Sequence, residues 1–379
     1  MRFKDIAGQE VIKEKLINNA RKNRVSHAQM FIGPEGCGKL ALALAYSQYI
    51  NCANPSEIDS CGVCPSCAKY SKLIHPDLHM IYPVANNKEF TKDVKSSTYI
   101  SHWREFLLSN PYVSIFEWYT HIGIENKQGI IKAEDCNEII RLMGLKPYES
   151  RYKIVIIWMV EKIFHAAAPK LLKILEEPPE NTLFLLIAEN QQQILKTILS
   201  RTQILKIPHP EDEVVSKYLE NQFECDSQRA VKISFLAAGN MTEAVRMCKE
   251  GLEVIDAFDT FSEWMRLCYS FNVQEMLKKV DEIAKYGRER QKNLISYSLK
   301  MFRQSILINR QVPARSVQRL EGDEKAFLTR FSVFVQPSNV NEINKLFQEA
   351  YTNIERNANP RILFADLSFR MTKLLKSVK

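Results

Sequence analysis

The segment YKIVIIWMV, residues 152–160, is apolar at nearly every position. A strand built from it has no face to offer to water. It needs cover on both sides, which is the situation of a central strand in a parallel sheet flanked by helices. The rest of the first 208 residues meets that requirement. AQMFIG (28–33), LHMIYPV (78–84), TLFLLIAEN (182–190) and TQILKIP (202–208) read as further strands. Helical patterns lie between them. In GQEVIKEKLINNARKN (8–23), Val11, Ile12, Leu16 and Ile17 fall at near-helical spacing. LALALAYSQYI (40–50) and IKAEDCNEIIRLMGL (131–145) read as two more helices. AAAPKLLKILEE (166–177) is a fourth, with Pro169 tolerable in its first turn and Pro178-Pro179 as its stop. The expected fold is therefore α/β, a parallel sheet flanked by helices over residues 1–208.

A chain of 379 residues exceeds one ordinary core, so two or three domains are expected. Residues 86–130 are mixed and polar, with the aromatics Trp103, Phe106, Tyr112, Phe116 and Trp118, and read as an insertion containing some helix. Beyond 208 the strand pattern stops. Residues 209–252 read as a small helical unit and 253–379 as a longer one, with FSVFV (331–335) fitting helix or strand. No run reaches the ~18 apolar residues of a membrane span. MRFKDIAGQE at the N-terminus lacks the apolar stretch of a secretory signal, so a cytoplasmic protein is expected. The net charge of +8 permits contact with nucleic acid or an acidic partner and establishes neither.

Four of the nine cysteines, Cys52, Cys61, Cys64 and Cys67, crowd together in two overlapping C-x2-C turns and one upstream thiol. In a reducing compartment this grouping points to a metal rather than to disulfides. Four sulfurs satisfy tetrahedral Zn²⁺ and leave no open position, so the expected site is structural. His75 and His79 lie nearby and read as residues at a strand entrance.

GPEGCGKL (33–40) nearly completes a phosphate-binding loop. Gly33, Gly36 and Gly38 would let backbone amides cradle phosphates, and Lys39 would reach the β- and γ-phosphates. The last position is Leu40, where a hydroxyl should hold Mg²⁺. The acids needed at the tip of a neighbouring apolar strand are also missing: Trp158 and Met159 stand there, and Glu161 is out of register. Two separate parts of the Mg²⁺ site are lost together. This argues against ATP–Mg²⁺ chemistry and leaves weak nucleotide binding through Lys39 open.

FKDIAGQE, SHAQMFIGPEGCGK, the cysteine cluster followed by HPD, AAAPKLLKILEEPPENTLFLLIAE and ILSRT occur in this order. Together they resemble the AAA+ clamp-loader subunits of bacterial DNA polymerase III. The resemblance is strong over residues 1–208 and weaker through the tail, where NIERNANPRILFADL (353–367) is similar to the family's last collar helices. It implies a helical lid over 209–252 and a collar for oligomerisation over 253–379. Motor subunits of the family carry a complete loop, a D-E pair and a lid arginine. This chain has Leu40, Trp158-Met159 and Thr242 instead, the pattern of a stator that does not hydrolyse ATP.

The family's S-R-[CT] motif survives as Ser200, Arg201 and Thr202. The resemblance implies that Arg201 acts as a finger on ATP held by a neighbouring subunit. Taken alone, Arg201 also fits an ordinary cation at a helix end. The implied partners are motor ATPase and delta-type subunits in a hetero-oligomeric ring, with the sliding clamp and primer-template DNA reached through the complex. An active ATPase with an unusual metal site and a zinc-dependent nucleic-acid-binding regulator are the rival readings. Gln9 reads as a helix-start residue, His27 as strand-entrance packing, Lys170 and Lys173 as a solvated helix face, and the aromatics of 103–119 as satellite core.

Overall fold

The computed structural model describes residues 1–124, 127–250, 256–310, 322–355 and 357–377. The chain divides into two compact units, Met1–Glu250 and Gly251–Lys379. The expected boundary between 252 and 253 lies outside the described residues.

The first unit is built on five strands: β1 (Ala28–Ile32), β2 (Leu78–Ile81), β3 (Lys153–Trp158), β4 (Thr182–Ala188) and β5 (Gln203–Lys206). Their order across the sheet is β2-β3-β4-β1-β5, and every pairing is parallel. β1, β3 and β4 are buried at every residue, as their largely apolar sequences require, and Gln29, Lys153 and Thr182 are buried with them. Alternate side chains of β3 feed two separate cores. Ile154, Ile156 and Trp158 join one, and Val155 and Ile157 join the other.

The helices of this unit are α1 (Glu10–Arg21), α2 (Lys39–Ile50), α3 (Pro65–Ser71), α4 (Ile100–Ser109), α5 (Ile115–His121), α6 (Ala133–Met143), α7 (Ala168–Glu176), α8 (Lys196–Leu199), α9 (Asp212–Phe223), α10 (Ser227–Ala237) and α11 (Met241–Glu250). α1, α2 and the aromatics of the insertion fill the first core, and α6 and α7 the second. The inner face of α1 differs from the expected one. Val11 is 80% exposed, while Lys13 is buried with its Nζ on the Ile6 carbonyl (2.8 Å) and on Glu10 (2.9 Å). Leu16 and Ile17 point inward as expected. β2 is shorter than LHMIYPV. It ends before Pro83, which has no N–H to give to a ladder, and Val84 makes only an antiparallel bridge to Ile130 that closes the base of the insertion.

The second unit is helical among its described residues: α12 (Asp256–Ser270), α13 (Val273–Ala284), α14 (Arg288–Asn309), α15 (Gly322–Phe331), α16 (Val340–Glu355) and α17 (Pro360–Lys376). FSVFV resolves into the end of α15 and a 3₁₀ turn, Ser332–Phe334. The core of this unit holds Phe261, Trp264, Phe302, Phe347 and Phe364. Trp264 Nε1 donates to Ser368 Oγ at 2.8 Å, so the one polar atom of that ring is satisfied. No described helix is long and apolar enough to cross a membrane.

Candidate functional site

The glycine loop runs from the end of β1 into α2, the context that a phosphate loop demands. Gly33 continues the sheet through its N–H to the Ala188 carbonyl (3.2 Å). Gly36 and Gly38 sit at φ +71 and +86, in the left-handed region where a side chain is strained. The loop is closed by protein on each side. At Gly36, a Cβ would come within 1.9 Å of Asn240 Oδ1, and the Met241 N–H donates to the Gly36 carbonyl at 3.0 Å. The start of α11 is thus docked directly on the loop. At Gly38, the Tyr112 ring lies 3.1 Å from the position a Cβ would take. Tyr112 is buried, its hydroxyl accepts from Ala7 N–H at 2.7 Å, and its ring meets Tyr218 of α9 edge-on at 5.4 Å. Gln9, the residue that opens α1, donates to the carbonyls of Cys37 (3.2 Å) and Pro208 (2.6 Å).

Lys39 is buried, at 5% side-chain exposure. Its Nζ lies 2.9 Å from Glu189 Oε1 at the end of β4 and 2.9 Å from the Pro34 carbonyl. The ammonium that would reach a phosphate therefore already holds two acceptors. Leu40 is buried in the first core. Trp158 and Met159 are buried at the tip of β3, with Met159 at φ +58. The Trp158 ring lies 5.1 Å from Trp103, which stacks on Tyr82 at 4.0 Å and meets Trp118 edge-on at 4.9 Å. An aromatic cluster from the insertion thus packs against the strand tip, the place of the metal-binding acids in an active P-loop ATPase.

Glu161 follows in a 3₁₀ turn. Its Oε1 accepts from the N–H groups of Glu189 (2.8 Å) and Asn190 (3.4 Å), and burial pushes its carboxyl up from the ordinary range. It holds the turn that positions Glu189, and only that second acid touches Lys39. Sequence reading gave Tyr112 only as satellite core and did not single out Glu189 or Asn240. Glu189 directly follows an apolar strand, a position that could have marked it. Nothing local marks Asn240 or Tyr112, which reach the loop through tertiary packing.

Arg201 lies just past α8. Its guanidinium pairs with Glu176 at the end of α7, and Nη1 donates to the Thr197 carbonyl at 2.9 Å. One third of the side chain stays exposed (34%). Two of the quoted motifs therefore meet in space: the first Glu of LLKILEE holds the Arg of SRT. Ser200 Oγ donates to the Thr197 carbonyl and Thr202 Oγ1 to the Leu199 carbonyl, each at 3.1 Å, so both hydroxyls close the turn around Arg201. Lys170 donates to Asn137 at 2.7 Å, and Lys173 is exposed. His27 is exposed, with Nε2 at the Leu175 carbonyl (3.2 Å). Thr242 is buried in α11.

The thiols of Cys52, Cys61, Cys64 and Cys67 all lie within 4.8 Å of one another. The Sγ atoms of Cys52 and Cys61 are 3.5 Å apart and those of Cys61 and Cys67 3.9 Å. Four sulfurs at the usual Zn–S distance in a tetrahedron stand about 3.8 Å apart, so the donors fit that ion. Backbone N–H groups point at the sulfurs: Cys61 N to Cys52 (3.3 Å), Cys64 N to Cys61 (3.4 Å) and Cys67 N to Cys64 (3.4 Å). The N–H groups of Val63 and Cys64 hold the Cys61 thiol down at about 6, which favours the thiolate a metal requires. His75 is no part of the cluster. Its Nε2 faces Ser150 Oγ (2.9 Å) and Glu149 (3.2 Å), and its Nδ1 accepts from Asp77 N–H. His79 lies in β2. The module is fastened to the N-terminus by Asp59, whose carboxylate accepts from the N–H groups of Phe3 and Lys4, each at 3.0 Å.

Residues 8–211 match the family model described as DNA polymerase III, delta subunit. The chain belongs to that family. The matched span covers the sheet, the cysteine module, the insertion and Arg201. The gamma subunit of DNA polymerase III from Buchnera aphidicola is 26% identical over 257 residues, covering 66% of this chain and 59% of the relative. The delta' subunit from Bacillus subtilis is 27% identical over 241 residues, 64% of this chain and 59% of the relative. The tau/gamma subunit from Haemophilus influenzae is 25% identical over 259 residues, 67% of this chain and 31% of the relative. The chain thus spans between about a third and three fifths of the length of these relatives. Among solved structures, a gamma-subunit-related protein of Thermotoga maritima aligns over 92% of this chain and 99% of its own, with 16% identity and a TM-score of 0.34.

Proposed function

We propose that this chain is a delta-prime-type, non-hydrolysing AAA+ subunit of a bacterial clamp loader. It would act in the cytoplasm in a hetero-oligomeric ring with motor and delta-type subunits. The ring would place the sliding clamp on primed DNA, and this chain would reach clamp and primer-template through the assembly. The helices of 209–252 would form the lid and those of 253–379 the collar. One observation carries the reading: the groups that should receive ATP are already engaged. Lys39 is held by Glu189 and Pro34, and Asn240 is packed on Gly36. The tip of β3 offers Trp158 and Met159 in place of acids, and Leu40 cannot ligate magnesium.

The chemistry left to contribute is a guanidinium delivered in trans. Arg201 is one third exposed and oriented by Glu176, which suits a planar fork that stabilises charge on a phosphoryl group in transfer. Zn²⁺ on the four cysteines would be structural, since its tetrahedron is complete. The test is ATP turnover by the chain alone, then mixed with motor subunits, clamp and primed DNA. The expected result is silence alone and turnover in the mixture. Arg201→Ala should cut turnover at the site it completes by at least about a hundredfold, lowering the total of the mixture, with assembly by gel filtration intact. Magnesium-dependent turnover by the isolated chain would overturn the stator reading. Unchanged turnover in the mutant assembly would remove the finger.

A further inference from the structure

The insertion brings together a second set of metal-binding side chains. His102 and Glu105 are three residues apart on α4, so they share one helix face. His121 is the last residue of α5. One donor atom from each lies within 4.8 Å of the other two. The imidazoles of His102 and His121 stand at 75° to each other with centroids 6.0 Å apart, so they converge rather than stack.

Both rings are braced by aromatics. His121 packs on Phe106 (5.3 Å) and lies nearly parallel to Trp118 (6.0 Å, 25°). His102 meets Tyr99 (5.9 Å) and Phe90 (6.3 Å) edge-on. Glu89 brings a second carboxylate to the edge of the cluster, with Oε2 3.6 Å from His102 Nε2. His102 is half-buried, while Glu105 and His121 are exposed, so the cluster opens to solvent.

We propose that His102, Glu105 and His121 form a binding site for a divalent transition metal of the Zn²⁺ class, which ties α4 to α5 and keeps a coordination position open. Two neutral imidazoles and a carboxylate are a borderline donor set suited to Zn²⁺, and a poor one for Mg²⁺ or Ca²⁺, which prefer oxygen alone. Bond lengths of about 2.0–2.2 Å would draw tetrahedral donors to about 3.3–3.6 Å apart. Closing from at most 4.8 Å needs rotation of one half-buried and two exposed side chains. Three protein ligands leave the fourth position to water or to a donor from another molecule. This distinguishes the site from the closed four-sulfur cluster.

The test compares the full chain with His121→Ala and His102→Ala, all three keeping the four cysteines. Bound zinc is counted after equilibrium dialysis, and Co²⁺ is followed by visible absorption. The wild type should hold one equivalent of Zn²⁺ more than either variant, and each variant should bind that equivalent at least about tenfold more weakly. The additional Co²⁺ should give weak visible bands without the thiolate charge-transfer absorption of the sulfur site. Added Zn²⁺ should raise the thermal midpoint of the wild type beyond that of the variants. Glu105→Gln should fall between the two. Because the side chains are partly or fully exposed, the metal-free variants should melt like the metal-free wild type. Equal zinc content and equal Co²⁺ spectra in wild type and variants would overturn the proposal. A site lost from the variants only because α4 and α5 have unfolded would show as a lowered metal-free midpoint, and Glu105→Gln, which leaves the aromatic braces in place, would then decide.

Discussion

The ammonium of Lys39 is held by one carboxylate and one carbonyl, with almost no water around it. Removing one member of such a pair leaves the other desolvated and unpaired. Lys39→Ala should therefore destabilise the first unit by about 2 kcal/mol, a value below that of a fully buried pair because Glu189 keeps some exposure. Lys39→Met combined with Glu189→Leu should recover much of that loss. Urea melts of the three proteins decide it. If Lys39 served nucleotide alone, Lys39→Ala would leave the melt unchanged. His79 gives a pH dependence. Burial, with Lys153 adding to it, pushes its imidazole down to about 4. In the unfolded chain the ring protonates near ~6.5. Between those values the unfolded state holds more protons, so stability rises with pH across that window and is lost as pH falls through it. His79→Gln should flatten the slope of the urea midpoint against pH in that range. At this scale the sequence was a partial guide. Lys39 and Arg201 were legible because their motifs are local. Their partners Glu189 and Glu176 were not, because each pairing joins segments that only the sheet brings together.

The cysteine module is an element stapled at both ends. Its sulfurs converge on one point, and Asp59 ties it to the backbone of Phe3 and Lys4. With the proposed Zn²⁺ bound there, chelation should loosen residues 52–72 and the first residues of the chain together, while β1, β3 and β4 stay protected. Hydrogen exchange with and without a strong chelator reads this directly. Protection of the N-terminal residues that survives chelation would separate them from the metal. The strands and most helices were legible because their apolar runs are long, and prolines mark the ends of β2, α7 and β5. The insertion was not. Its hydrophobic content is aromatic and irregularly spaced, so no period showed in the sequence. Trp103, Trp118 and Tyr82 find one another only against Trp158 at the tip of β3. The inner face of α1 was misjudged at Val11 because spacing alone does not show which arc of a helix meets the core. Lys13 takes an inward place by spending its charge on the Ile6 carbonyl and Glu10.

The two units each own a core: one is a sheet between helical layers, the other a set of helices around Phe261, Trp264 and Phe347. Residues 1–250 and 256–377, expressed separately, should each fold. The first should bind the Zn²⁺ proposed for its four cysteines, and the second should show a predominantly helical circular dichroism spectrum with a cooperative melt. A non-cooperative melt of the second fragment would mean that its helices depend on the first.

The closed glycine loop makes Gly36 answer to packing. Gly36 is required by the side chain of Asn240, whether or not any phosphate visits. A glycine at this position is therefore no guide to nucleotide binding. Under the proposed stator reading, a hydroxyl at 40 would not by itself build an ATP site. A serine at 40 would still face Lys39 paired with Glu189, Trp158 and Met159 at the strand tip, and the start of α11 docked on the loop.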